Sequence, residues 1–282
     1  MKKTKLLTSL ALAVSALGIS APVYADKNGA PKDEVPVYRL YNKNTGEHFY
    51  TPSAYELINL QNAGWTPEGI GWYAPVTGEP VYRIYNPNAK GGDHYYTTSK
   101  GEAAYDVSLG WKWDNNGKPA FYSDGKIDNF VAYNPNALSG AHNYTSDVNE
   151  QNSLIRLGWT YGAPAWKVLK AGTNAIDPDQ ISNLNLTTIQ GLWRNDKGQN
   201  LQVIGDQFIL DGKAEKWDPV QTGMGVVGFA VSGDTFTQSL FVLAPDAMIP
   251  EARADAVKSD LDEARIFIGK TPASGSYFYK VG

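Results

Sequence analysis

VYRLYN at 37–42, followed by GEHFYT at 46–51, is the stretch that decides the fold, because it recurs twice along the chain. The second copy reads VYRIYN at 81–86 and GDHYYT at 92–97. The third is weaker and reads FVAYN at 130–134 and GAHNYT at 140–145. In every copy a Gly-Trp pair follows, with its Trp 17 residues after the His. A repeat of 46 and then 48 residues predicts a domain built from three similar units.

Each copy also predicts one short helix with both ends specified. An N-cap residue stands five residues after the His, and a Glu follows three residues later, which is the spacing of a capping box. A Gly suited to the left-handed conformation stands eleven residues after the N-cap and ends a helix of about ten residues. The cap pairs are Ser53 with Glu56, Ser99 with Glu102, and Asp147 with Glu150, and the glycines are Gly64, Gly110 and Gly158. The predicted buried positions are Leu57, Leu60, Val107, Leu154 and Leu157.

The rest of each copy predicts three strands, because β-branched and aromatic residues alternate with turn residues. Two strands precede the helix, and the third lies at 71–74, 120–123 and 165–168. We therefore expect a mostly β fold with short helices, of the α+β class, in which 37–169 forms a pseudo-threefold, trefoil-like domain. The predicted boundaries of the three copies are 37–79, 80–128 and 129–169.

The C-terminal part of the chain has a different sequence pattern, without the repeated motifs. Residues 170–182 lack periodicity and are interpreted as a linker. From 183 to 282 short alternating segments are broken by Gly and Asp, which is typical of a small antiparallel barrel or sandwich. We expect a β-barrel-like domain here, with a charged helix at 250–262.

The N-terminus has the pattern of an export signal. Lys2, Lys3 and Lys5 precede an apolar run at 6–19, and Val23 and Ala25 are the small residues expected at −3 and −1 of a cleavage site. Cleavage after Ala25 would leave a leader at 26–36, and 22 basic against 29 acidic residues, a net charge of −7. The sequence thus predicts a secreted protein, extracellular or non-covalently associated with the cell wall.

The repeats resemble a three-repeat domain of unknown function. The resemblance covers 37–169 and rests on VYRLYN, GEHFYT and the Gly-Trp pair. It implies an exported bacterial protein of the kind often joined to cell-wall hydrolases. The remainder resembles an uncharacterised domain of Gram-positive lipoproteins, and its Gly191-Leu192-Trp193 is similar to the start of lipocalin-type barrels. The third copy departs from the pattern, with Val131, Ala141 and Asn143 in place of Arg, acid and aromatic residues.

Composition excludes several functional classes. The chain has no Cys, which excludes disulfides, thiolate catalysis and iron–sulfur clusters. A net charge of −4 argues against nucleic acid as a partner. His48, His94 and His142 could meet on a threefold axis and bind a metal, but ordering of the turns explains their spacing equally well, so we expect no metal and no cofactor.

Aromatic residues are the strongest chemical signal, since 23 of the 34 lie in 37–169. Adjacent residues on a strand point to opposite faces, so one member of each aromatic pair could be exposed and stack against a sugar ring. The candidate ligand-binding residues are Arg39, Tyr41, His48, Tyr50, Trp72, Tyr73, Arg83, Tyr85, His94, Tyr96, Phe121 and Tyr122.

The sequence therefore predicts a secreted, non-enzymatic protein that binds cell-wall glycan or surface polysaccharide through its repeats. We expect copies one and two to contribute more than copy three. A protein-binding adhesin or effector that recognises a protein receptor is the alternative, and we expect no membrane insertion. A glycosidase using Glu47 or Asp93 as an acid–base residue is a third possibility, which would need a pair of carboxylates about 5–10 Å apart.

Overall fold

The computed structural model describes residues 33–215, 217–231, 239–249, 259–269 and 275–282. The predicted export signal, with its cleavage site at Ala25, lies outside these residues. So does most of the predicted helix at 250–262, and its described part, 259–262, is not helical. The described residues form two compact units. One comprises 41–49 and 74–171, and the other comprises 33–40, 50–73 and 172–282 with the gaps given above.

The predicted strand, strand, helix, strand order is confirmed in all three copies. Copy one has β1 (Glu34–Asn42), β2 (Glu47–Thr51), α1 (Ala54–Asn62) and β3 (Thr66–Pro75). Copy two has β4 (Glu79–Tyr85), β5 (His94–Thr97), α2 (Lys100–Ser108), a short β6 (Lys112–Trp113), a 3₁₀ turn (Asn115–Gly117) and β7 (Pro119–Ser123). Copy three has β8 (Ile127–Tyr133), β9 (His142–Thr145), α3 (Val148–Arg156) and β10 (Thr160–Val168).

Each copy forms its own sheet, with the first strand in the middle, and the sheets of copies two and three are antiparallel. The orders are β3-β1-β2, extended by β11 (Lys170–Thr173), then β10-β8-β9, and β5-β4-β6 with β7 also paired to β4. The mostly β class is confirmed. The trefoil-like arrangement is not confirmed, because every pair within 34–168 joins strands of one copy, whereas a trefoil shares a barrel among its copies.

The helix caps follow the prediction in position, although Asp147 accepts the N–H of Asn149 and not that of Glu150. Ser53 Oγ accepts the N–H of Glu56 at 3.3 Å, and Ser99 Oγ accepts that of Glu102 at 3.1 Å. The N-cap N–H of Ser99 goes to Thr97 Oγ1 at 3.0 Å, and that hydroxyl donates to Glu102 Oε2 at 2.5 Å. The glutamate thus acts through the threonine that ends the preceding strand, a relay that the capping-box pattern did not include.

The C-terminal glycines of the helices adopt the predicted left-handed conformation. Gly64, Gly110 and Gly158 have φ of +90°, +108° and +94°. The N–H of the following Trp then reaches back into the last helical turn, for example from Trp159 to Leu154 O at 3.1 Å. One predicted core position is wrong, because Leu157 is 78% exposed.

The C-terminal part forms one nine-stranded antiparallel sheet that curls into a half-barrel. A closed barrel is not confirmed. The segment interpreted as a linker carries β11 and a short α4 (Pro178–Ser182), and a 3₁₀ turn (Thr187–Ile189) precedes the sheet. The strands are β12 (Gly191–Asn195), β13 (Asn200–Ile204), β14 (Gln207–Leu210), β15 (Lys213–Glu215), β16 (Trp217–Gly223), β17 (Val226–Val231), β18 (Ser239–Leu243), β19 (Arg265–Gly269) and β20 (Ser276–Lys280).

The sheet order is β15-β14-β13-β12-β20-β19-β18-β17-β16, so two meanders meet where β12 pairs with β20. The concave side is filled by side chains such as Trp193, Phe208, Phe229 and Phe278, each at most 2% exposed. Trp193 Nε1 donates to Ile189 O at 2.9 Å, which satisfies the buried indole. No helix among the described residues is long and apolar enough to cross a membrane.

Candidate functional site

The three histidines mark equivalent positions where the copies meet. In each copy the Tyr of the Tyr-Asn pair lies on the His of the same copy, with ring centroids 5.0, 4.9 and 5.1 Å apart. The Asn beside that Tyr accepts the N–H of the residue two positions later at 3.0 Å in all three copies, which closes the turn. The repeated motif therefore builds one local structure three times.

The junction of copies one and two is filled. Glu47 is 3% exposed, and its Oε1 lies 2.6 Å from His94 Nδ1 and 2.9 Å from the backbone nitrogen of His94, which donates to it. Phe49 meets the His94 ring edge-on, with centroids 4.9 Å apart. The Arg83 guanidinium lies 4.4 Å above the Phe49 ring and forms an ion pair with Asp114.

Electrostatics support this packing. Burial alone would raise the pKa of Asp114, but the charges of Arg83 and His94 and two hydrogen bonds outweigh it and lower that pKa. Burial and the neighbouring Glu47 carboxylate raise the pKa of Tyr85. The Asp114 carboxylate is therefore ionised at neutral pH and pairs with Arg83.

The junction of copies two and three repeats the arrangement. Asp93 Oδ2 lies 3.3 Å from His142 Nδ1, and Asp93 Oδ1 accepts the N–H of Ala141 at 3.2 Å. The Tyr95 ring lies 4.8 Å from the His142 ring. Glu47 and Asp93, considered above as acid–base residues, are both at most 5% exposed and hydrogen-bond the next copy.

The junction of copies three and one differs, and it opens into a cleft of about 590 Å³. Here copy three supplies Ala141 where the other copies have an acid, and Asn143 where they have an aromatic ring. The backbones still approach closely, because a Cβ on Gly140 would lie 2.5 Å from Glu47 Cα. The missing side-chain volume therefore leaves a cavity while the backbone contact is kept.

The cleft combines planar, polar and aliphatic side chains. Its planar side chains are Tyr41, His48 and Trp159. Its polar and charged side chains are Asn44, Thr45, Lys90, Asn134, Ser139, Asn143 and Glu150. Ala137, Leu138 and Leu154 complete the lining, and Leu138 is 71% exposed at the rim. Such a mixture, in a volume within the range of small-molecule sites of about 300–1,000 Å³, can bind a ligand with polar edges and apolar faces.

The structure places only two of the twelve predicted ligand residues, Tyr41 and His48, in the lining of this cleft. Six others are buried: Tyr50, Trp72, Tyr73, Arg83, Tyr96 and Phe121, each at most 9% exposed. Tyr85 and His94 pack at the first junction, Arg39 Nε is 2.7 Å from Glu68 Oε2, and Tyr122 is partly buried.

The expectation that one member of each aromatic pair is exposed is wrong for Phe49-Tyr50 and Trp72-Tyr73, where both are buried. Phe49 is buried between copies, against His94, whereas Tyr50 and Trp72 are buried by stacking within the copy. Tyr50 stacks on Trp72 at 5.0 Å and Tyr144 on Trp166 at 4.9 Å, so these rings fill the core between strands two and three.

Trp159, Asn143 and Glu150 were not predicted as site residues. A signal for them was present in the sequence, since the third copy loses its acid and its aromatic residue at the positions that open the cleft. Glu150 Oε1 accepts a hydrogen bond from Asn143 Nδ2 at 3.4 Å, where in copy two Glu102 Oε1 accepts one from the hydroxyl of Tyr95. Among the described residues, no three His, Asp or Glu side chains lie close enough together to hold a metal ion.

In a comparison with known proteins, the repeats match one family model. Residues 36–169 match the model of a domain of unknown function, DUF5648. This match coincides with the three copies and contains every residue that lines the cleft. No curated protein and no solved structure has significant similarity to the chain.

Proposed function

We propose that this is an exported, non-enzymatic protein that binds cell-wall or surface glycan in the cleft between copies three and one. The cleft is the observation that carries the proposal. Tyr41 and Trp159 offer aromatic surface to the apolar face of a sugar ring, and Asn44 and Asn134 offer amide groups to its hydroxyls. This combination of flat apolar surface and amide groups suits a glycan better than a wholly apolar ligand.

The balanced charges of the cleft lining also favour an uncharged ligand. The lining contains one basic and one acidic side chain, Lys90 and Glu150. A cleft with one carboxylate lacks the carboxylate pair that a glycosidase requires, which favours binding over hydrolysis. Attraction between a protein of net charge −7 and an anionic wall polymer cannot supply the affinity, so contacts inside the cleft must do so.

Retention on purified peptidoglycan, with and without teichoic acid, tests the proposal. The protein should be retained on both, and retention should fall little between low and physiological salt because screening removes only charge–charge attraction. Trp159→Ala should weaken retention, whereas Tyr161→Ala should not, since Tyr161 is 71% exposed and does not line the cleft. Equal retention of the Trp159→Ala variant and the wild type would contradict the assignment of the site.

A protein partner remains the second candidate, and one observation favours it. Copy three exposes large apolar side chains on α3 and the strand after it, among them Ile155, Leu157 and Tyr161 at 38%, 78% and 71% exposure. Exposed apolar groups of this kind are found where proteins associate. Replacing Leu157 and Tyr161 by Ala would weaken binding to a protein receptor and leave glycan retention unchanged, which separates the two functions.

A further inference from the structure

The two filled junctions share one feature that the third junction lacks. At the two filled junctions one aromatic ring from the preceding copy lies against the junction histidine: Phe49 against His94 at 4.9 Å, and Tyr95 against His142 at 4.8 Å. The distances agree although the rings belong to different copies and tilt differently, at 86° and 50°. A filled junction therefore contains an aromatic ring packed against its histidine.

At the third junction the chain does not supply that ring, because the equivalent residue is Asn143. His48 and Tyr41 nevertheless keep the geometry of the other junctions, with centroids 5.0 Å apart and an interplanar angle of 39°. The corresponding angles are 38° in copy two and 39° in copy three. The wall that receives the ring is thus preserved, whereas the ring is absent, as is the acid that Ala141 replaces.

The second wall of the cleft changes for the same reason. In copy two the ring of Trp111 lies 6.4 Å from that of Tyr95, its neighbour in the same copy. Trp159 is the equivalent of Trp111, and Asn143 stands where Tyr95 would be, so Trp159 faces the cleft. Both Tyr41 and Trp159 therefore contribute aromatic surface to the cleft.

We propose that one pyranose ring of the glycan occupies the position of the missing aromatic ring, between His48 and Trp159, and that the protein has one such subsite per chain. A pyranose ring is comparable in size to a phenyl ring and has apolar C–H faces with a hydroxyl periphery. Asn143, which is 1% exposed, and Glu150 line the cleft and are the hydrogen-bonding partners of that periphery. The inference rests on the proposed function and adds the position of the sugar, its contacts and the number of sites.

Restoring the ring tests the proposal directly. Asn143→Phe gives copy three the residue that copy one has at position 49, so the variant should fold and should fill the subsite with its own ring. Retention on peptidoglycan should fall by roughly tenfold or more, which corresponds to a loss of about 1.4 kcal/mol. The melting temperature should stay the same or rise, since a cavity is filled.

Tyr95→Asn is the matched control, because it changes the same position in copy two and lies at a different junction. It should leave retention through the cleft undiminished. If Asn143→Phe is folded and retained like the wild type, or if Tyr95→Asn alone removes retention, the ring subsite is refuted although glycan binding stands. If the wild type is not retained at all, the proposed function and the subsite fail together.

A measurement on the wild type covers the case in which Asn143→Phe does not fold. During titration with chitotetraose or cellotetraose, the imidazole resonances of His48 should shift, while those of His94 and His142 should stay in place. Shifts confined to His94 or His142, or saturable binding that shifts none of the three, would overturn the proposal.

Discussion

At the residue scale, a buried carboxylate joins each copy to the next. Glu47 and Asp93 precede the His of their own copy in sequence, and in space they serve the backbone and the His of the following copy. In the sequence these two residues were candidates for the acid–base residue of a glycosidase. The structure assigns both acids to contacts between copies, because adjacent residues on a strand point to opposite faces and cannot meet.

Glu47→Ala is expected to lower the free energy of unfolding by about 2–3 kcal/mol, because the N–H and Nδ1 of half-buried His94 lose their acceptor. Urea unfolding followed by circular dichroism measures the change. Asp124→Ala, which removes an exposed acid from the same unit, should change stability by less than about 0.5 kcal/mol. Similar losses in both variants would show that overall charge, and not this contact, stabilises the protein.

Lys280 gives the C-terminal sheet an unusual pH dependence. Its ammonium lies 5.6 Å from the ring centroid of Trp193, and burial lowers its pKa to about 8, from 10.5 in the unfolded chain. Between pH 8 and 10.5 the unfolded state therefore binds more protons than the folded state, and raising the pH across this window stabilises the fold.

In Lys280→Met this contribution should be absent. The difference in melting temperature between variant and wild type should shrink as the pH rises from 8 to 10.5, and the variant should be the more stable at pH 7. Comparing the two proteins removes the contribution of tyrosines such as Tyr73, whose pKa is raised by burial and by nearby acids and which acts in the opposite direction. A constant difference across the window would show that Lys280 titrates normally.

At the element scale, each helix of nine residues has a side-chain cap at its start and a left-handed glycine at its end. The relay of Thr97, Ser99 and Glu102 closes the start of α2, and Gly110 with φ of +108° closes its end. Helices this short are only marginally stable by themselves, so the caps supply a large share of their stability.

Ser99→Ala combined with Glu102→Ala should destabilise the fold by about 1–2 kcal/mol, since both the N-cap acceptor and its relay are removed. Glycan retention should not change, because neither residue lines the cleft. Thermal unfolding and the peptidoglycan assay check the two parts. Loss of retention with an unchanged melting temperature would assign Glu102 a functional role.

At the scale of the whole molecule, the first helix belongs to the same compact unit as the C-terminal sheet. Gln61 of α1 is 3% exposed, and its Oε1 accepts the N–H of Leu192 at 2.8 Å. Its Nε2 donates to Leu192 O at 3.3 Å and to Val281 O at 2.6 Å. One side chain thus bridges β12 and the residue that follows β20.

Gln61→Leu should therefore destabilise the protein by about 2–3 kcal/mol, because the N–H of Leu192 and the carbonyl of Val281 lose their partner, while Leu192 O keeps the N–H of Val281. Ile155→Ala is the control, since Ile155 holds the same place in α3 and is 38% exposed. Urea unfolding should show a loss of less than about 1 kcal/mol for the control. Equal effects would mean that the bridge adds nothing beyond the packing of a helix.

The sequence by itself determined the repeat, the order of strands and helix in each copy, the helix caps and most strands after residue 190. These depend on local chemistry, on alternation with a period of two and on capping residues at fixed spacing, which neighbours in space do not change. It also marked copy three as different through Val131, Ala141 and Asn143.

Only the tertiary structure decided which aromatic rings are buried, where the acids bind and where a cleft opens. The rings of Tyr50 and Trp72 are 22 residues apart in sequence and stack in the core, so exposure could not be judged from one strand alone. The cleft exists because copy three has Ala141 and Asn143 in place of the acid and the aromatic ring that would have contacted copy one. Contacts between copies so far apart in sequence form only when the chain is folded.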